Sequence, residues 1–102
     1  MKNWILRFTT EASLLLSKLH PENKKQIKKA LTSLQLDPYQ GKDLQEQLSG
    51  FKSLRIKHYR VVYNIDEEKK LIQVYYIGRR RDVYEQFRHL LDELINYSSK
   101  IR

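Results

Sequence analysis

Four cations, Lys52, Arg55, Lys57 and Arg60, stand close together in the second half of the chain with no acidic residue among them. A second run, Arg79-Arg80-Arg81, is followed by Tyr84. Guanidinium groups are permanently charged and bind phosphate oxygens in pairs, so this set suits a phosphodiester. Cleaving RNA needs a base for the 2′-hydroxyl proton, cations for the charge growing on the phosphorus oxygens, and an acid for the departing 5′-oxygen. Arginines meet the second need. Lysine or tyrosine meets the first once neighbouring cations lower its pKa. The same patch also reads as plain nucleic-acid binding, and composition alone favours that simpler reading.

The distribution of charge sharpens the picture. Twenty Lys+Arg against twelve Asp+Glu give a net charge of +8, which points to a polyanion or an acidic protein partner. Residues 1–50 contain one arginine, Arg7, whereas residues 51–102 contain seven: Arg55, Arg60, Arg79, Arg80, Arg81, Arg88 and Arg102. The absence of cysteine excludes disulfides, thiolate metal sites and a cysteine nucleophile. No glycine-rich phosphate loop occurs. The three histidines, His20, His58 and His89, show no metal-ligand spacing. His20 flanks a helix before Pro21, His89 falls within the last helix, and His58 adjoins the Tyr59-Arg60 strand. No metal and no small-molecule cofactor is expected. No run approaches the roughly 18 apolar residues of a membrane span. Arg7 interrupts any secretory leader, so a cytoplasmic location is expected.

These side chains need a frame, and the patterning supplies one. Trp4 to Thr9 reads as a strand. Thr9 or Thr10 can cap a helix carrying Ala12, Leu15, Leu16 and Leu19 on one face. Pro21 opens a second helix, with Ile27, Ala30, Leu31 and Leu34 apolar and Lys24, Lys25, Lys28 and Lys29 mainly opposite. Asp37 to Lys42 is a loop, with Leu44 and Leu48 as anchors. Strands are expected at 52–56, 59–65 and 71–77, with Asp66 to Lys70 as a hairpin turn. A last helix runs from about Asp82, its cap, to Tyr97, presenting Val83, Phe87, Leu90, Leu91 and Leu94. The predicted fold is α+β, in the order β-α-α-β-β-β-α: an antiparallel sheet with the helical hairpin on one face. The chain is one domain, 1–102, with 86–102 as an extended C-terminal helix. Alternation places Val61, Tyr63 and Ile65 toward the helices and Arg60, Val62 and Asn64 on the other, partly open face.

Two segments carry a family resemblance. Ser53-Leu54-Arg55-Ile56-Lys57-His58-Tyr59-Arg60-Val61-Val62-Tyr63 resembles a strand pair of the RelE/ParE toxin superfamily, and Ile77-Gly78-Arg79-Arg80-Arg81-Asp82-Val83-Tyr84-Glu85 resembles its C-terminal signature. The opening Phe8-Thr9-Thr10-Glu11-Ala12 and the middle Asp37-Pro38, Gly41-Lys42 and Leu48-Ser49-Gly50 are similar too. The RelE branch implies a type II toxin that cleaves mRNA on the ribosome, contacting ribosomal RNA, by attack of the 2′-hydroxyl without metal. The resemblance implies Arg60 and Arg80 as transition-state cations, with Arg79 as the register alternative to Arg80, and Tyr84 as base or stacking residue. Lys52 and Arg55 are the candidates for the family's basic strand residues. Lys57, Arg79 and Arg81 are candidates for substrate binding. Arg79 stands where many relatives carry histidine. A cognate antitoxin is implied as partner. The ParE branch, which shares the fold but poisons DNA gyrase without cutting RNA, is the alternative, and a non-catalytic nucleic-acid-binding module is a further one.

Overall fold

The computed structural model describes residues 3–79 together with Phe87, His89 and Asp92, which are helical. Strand β1 spans Ile5–Phe8, helix α1 Thr10–Ser17 and helix α2 Pro21–Leu36. After a 3₁₀ turn at Pro38–Gln40 come the short strand β2 (Lys42–Asp43) and a second 3₁₀ turn at Glu46–Leu48. Strands β3 (Lys52–Ile56), β4 (Tyr59–Asp66) and β5 (Leu71–Arg79) follow.

Local chemistry explains the helix ends. The Thr9 hydroxyl accepts the Ala12 N–H at 3.1 Å, satisfying one orphan donor of α1. His20 does the same for α2, its Nδ1 accepting from the Glu22 N–H at 3.3 Å, while Pro21 takes the first helical position. The expected helix-flanking role of His20 is thus a capping role. The apolar faces of both helices, through Ala12, Ile27, Leu31 and Leu34, close over Val61, Tyr63, Ile72, Val74 and Ile77 of the sheet.

The five strands lie in the order β1-β5-β4-β3-β2. Strands β2 to β5 form an antiparallel meander, as short connections require. The sheet is not antiparallel throughout, however. Strand β1 pairs with β5 in parallel, Ile5 opposite Leu71 and Phe8 opposite Val74. Antiparallel pairing is enforced only where a tight turn joins neighbours. Strand β1 is joined to the rest through both helices, and that long connection leaves its direction to be chosen by packing.

Between Val62 and Tyr63 the β4–β5 register shifts: Val62 pairs with Tyr76 but Tyr63 with Val74. The extra residue, Tyr75, breaks the alternation, so Tyr75 and Tyr76 both leave the helix-bearing face. There they pack with Leu44, Leu48, Phe51, Val62 and Phe87 as a second, smaller core. The face expected to be partly open is therefore covered over part of its area.

Tyr63 ties the first core to the loop after α2. Its hydroxyl donates to the Pro38 carbonyl at 2.7 Å and accepts the Gly41 N–H at 3.1 Å. A Cβ on Gly41 would collide with that hydroxyl, so glycine is required for the close approach. Burial pushes the Tyr63 phenol up to about 12; the Gly41 N–H pulls the other way, and the charges of Asp37 and Asp43 add to the rise. Tyr63→Phe removes the partner of the buried Pro38 carbonyl and of the half-buried Gly41 N–H, and is expected to lower unfolding free energy by about 1–3 kcal/mol near neutral pH. The raised pKa sets the sign of the pH dependence. Tyr63's contribution is intact below about pH 10, the ordinary phenol value, and fades as pH climbs through about 12. Urea titrations of both proteins should therefore converge with rising pH across that window.

Candidate nucleic-acid interface

A two-residue loop, Lys57-His58, joins β3 to β4, with Ile56 opposite Tyr59. Lys57 adopts a φ of +53°, the left-handed conformation that tight hairpins demand. This turn locks the register and puts Arg55 directly opposite Arg60. Directly paired residues share a face. Leu54 and Ile56 pack toward the helices, so Arg55 and Arg60 both stand on the other side.

Like charges directly opposite each other destabilise a sheet. The structure holds this pair with a specific contact: the Arg60 Nη1 donates to the Ser53 Oγ at 3.0 Å. Ser53 is buried, at 2% exposure, and Arg60 is half-buried with its Nε enclosed. Arg55 is exposed. Across the next strand pairing Arg60 faces Gly78, and a Cβ there would lie 2.5 Å from the Tyr76 ring. The ring therefore occupies the space beside Arg60 that a side chain at 78 would fill.

Arg79 pairs with Tyr59, which packs toward the helices and receives the Asn23 amide at 3.2 Å on its hydroxyl. Arg79 thus shares the sheet end with Arg60 but begins on the opposite face, and it is exposed. Lys57 and His58 are exposed at the hairpin tip of that same end. Arg55, Lys57, Arg60 and Arg79 are gathered at one end of the sheet, with Arg55 and Arg60 on one face.

Lys52 is not brought to this group. It pairs with Tyr63, on the helix-bearing face and toward the other end of β4. There it forms an ion pair with Asp43 and lies 5.8 Å from the Tyr39 ring centroid. The reason is the two-residue period of a strand: Lys52 and Arg55, three apart, must point to opposite faces. Arg80, Arg81, Asp82 and Tyr84 lie outside the described residues, as does most of the expected last helix. His89 is helical and exposed. Among the described residues, no group of three or more His, Asp or Glu is placed to hold a metal, and no helix is long and apolar enough to cross a membrane.

Ser53 and the Tyr76–Gly78 contact carried no signal as single residues. The hairpin arithmetic contains one of them: a two-residue turn at 57–58 makes Ser53 the diagonal neighbour of Arg60, within reach of a long side chain. The Tyr76 contact depends on the β4–β5 bulge.

Residues 6–84 match the family described as ParE toxin of type II toxin-antitoxin system, parDE. The chain belongs to the RelE/ParE superfamily of type II toxins. It is 33% identical to Toxin RelG of Mycobacterium tuberculosis over 85 residues, which cover 81% of this chain and 98% of that toxin. Among solved structures, the RelBE2 toxin–antitoxin complex of Mycobacterium tuberculosis contains a chain 33% identical to this one. That match has a TM-score of 0.73 and covers 78% of this chain and 94% of the other. The isolated RelE toxin of E. coli shares the fold with a TM-score of 0.67 at 23% identity, covering 86% of this chain and 98% of that one. The α+β sheet with its helical hairpin is thus the fold of RelE-like toxins.

Proposed function

We propose that this toxin is a metal-independent mRNA endoribonuclease acting on the translating ribosome, with its substrate phosphate gripped at the Arg55–Arg60 end of the sheet. The observation that carries the reading is the pairing of two arginines directly across β3 and β4, with Arg79 at the same sheet end and no acidic residue between Phe51 and Ile65. A like-charged pair in that position is unfavourable until an anion occupies it. A phosphodiester supplies the anion, and arginine forks fit its paired oxygens.

The chemistry follows from those groups. The 2′-hydroxyl loses its proton as its oxygen attacks the adjacent phosphorus in line. The bond from phosphorus to the 5′-oxygen breaks, and the departing oxygen takes a proton from solvent water, leaving a cyclic 2′,3′-phosphate and a 5′-hydroxyl. Arg60 and Arg80 hold the charge on the non-bridging oxygens. Tyr84 serves as base or as a stacking platform for a base, and Arg81 and Lys57 contact the flanking backbone. Lys52, held by Asp43 on the other face, has no part in this assignment. The 33% identity to Toxin RelG and to the toxin chain of the RelBE2 complex favours the RelE branch, and with it the nuclease reading that the resemblance implies. The second reading, inhibition of DNA gyrase without RNA cleavage, is favoured by the ParE description of the matching family. Purified protein separates them: new toe-print stops on translating ribosomes are expected, whereas blocked supercoiling with intact mRNA would establish the gyrase target.

A cognate antitoxin is the expected protein partner. The lysine-rich side of α2 and the cleft lined by Gln26, Lys29, Ala30, Ser33, Ile56 and Lys57 offer an apolar floor with a cationic rim to an acidic amphipathic segment. Ribosome or RNA binding should fall steeply with salt. Arg55→Gln is expected to flatten the slope of log affinity against log salt by about 0.7, the value for one contact with a single-stranded phosphate. Fluorescence-anisotropy titrations with a short single-stranded RNA at four salt concentrations measure it. A slope equal to that of the parent protein would remove Arg55 from the interface.

A further inference from the structure

We infer that Ser53 is a positioning residue that fixes the Arg60 guanidinium on the phosphate-binding face, with the Tyr76 ring over Gly78 closing the space beside it. The inference deepens the endoribonuclease reading and rests on it. An arginine side chain carries about 2 kcal/mol of rotamer entropy, which an unrestrained Arg60 would lose each time it closed on a phosphate. The Oγ of Ser53, buried in the sheet, is a fixed acceptor 3.0 Å from Nη1. One edge of the fork is thereby committed to the protein. The ring lying over Gly78, directly opposite Arg60, occupies the cross-strand position into which the chain would otherwise swing. Because Arg60 is assigned to the charge that grows on the phosphorus oxygens during attack, the lost order is felt mainly in the transition state and so in kcat more than in KM.

The test compares Ser53→Ala, Ser53→Cys and Ser53→Thr in cleavage on translating ribosomes. Ser53→Ala is expected to lower kcat by about 10- to 100-fold, the usual effect of removing a group that orients a functional side chain, with KM changed by less than about twofold. Ser53→Cys keeps the volume but offers a weak acceptor, so it should behave like the alanine variant. Ser53→Thr keeps the oxygen and should restore the rate. In an Arg60→Ala background the Ser53→Ala effect should vanish, whereas a general packing role would persist. A fold-independent readout is the Nε–Hε NMR signal of Arg60, assigned by its loss in Arg60→Lys. It should be narrow in the parent protein and exchange-broadened in Ser53→Ala. An unchanged signal, or rate losses that simply add, overturns the positioning role. If the parent protein cuts no RNA, the endoribonuclease reading falls, and the Arg60 signal alone then decides whether Ser53 holds that side chain.

Discussion

Arg60→Ala is expected to lower kcat for mRNA cleavage by about 10²–10³-fold, equivalent to about 2.7–4 kcal/mol of transition-state stabilisation. The size follows from its setting. Arg60 is half-buried, hydrogen-bonded to Ser53 and opposite Arg55, so its charge acts in a partly water-excluded site rather than in bulk solvent. Arg60→Lys should recover only part of the loss, because a point charge cannot bind two phosphate oxygens at once. Stability should change little. The Ser53 hydroxyl loses a partner, at a cost of about 1 kcal/mol, while relief of the repulsion from Arg55 offsets part of it. Single-turnover cleavage and a urea titration on the same preparations give both numbers. A variant that cuts at a third of the parent rate or better would remove Arg60 from the chemistry.

The second large effect is on folding. Phe87 is 1% exposed and meets Phe51 and Tyr75 edge-on, with ring centroids 5.0 and 6.4 Å away; the tilted Tyr76 ring lies 6.3 Å away. Among the described residues after β5, it is the one that joins the second core. Phe87→Ala should therefore cost about 3–5 kcal/mol, the range for truncating a buried aromatic side chain. Asp92, also helical but exposed, is the control, with Asp92→Ala expected within about 0.5 kcal/mol of the parent. Urea midpoints at constant m-value measure both. A fall for Phe87→Ala of under about 1 kcal/mol would mean that the second core contributes little to holding the domain together.

Much of the frame was legible because its determinants are local. Apolar residues at helical spacing marked α1 and α2, Thr9 or Thr10 and then Pro21 announced the helix starts, and two-residue alternation placed Val61 and Tyr63 opposite Arg60 and Val62. The gathering of Arg55, Lys57, Arg60 and Arg79 at one sheet end also followed from short hairpins, whose length fixes register. Other features resisted. Grouping Lys52 with Arg55 by nearness in the chain overlooked the strand period that sends them to opposite faces. The site residues Arg80, Arg81 and Tyr84 fall outside the described residues, so their place beside Arg60 belongs to the proposal.

The amino-acid order alone determined the types of the longer elements, the two-residue connection between β3 and β4, the cationic character of the second half and the superfamily resemblance, since each depends on residues a few positions apart or on composition. Only the tertiary structure decided that β1 runs parallel beside β5, that a bulge turns both Tyr75 and Tyr76 onto the second face, and that Ser53 and the ring over Gly78 bracket Arg60. Those outcomes arise from pairings between segments distant in the chain. Their selection depends on how much apolar surface each arrangement buries, a property of the whole packed domain.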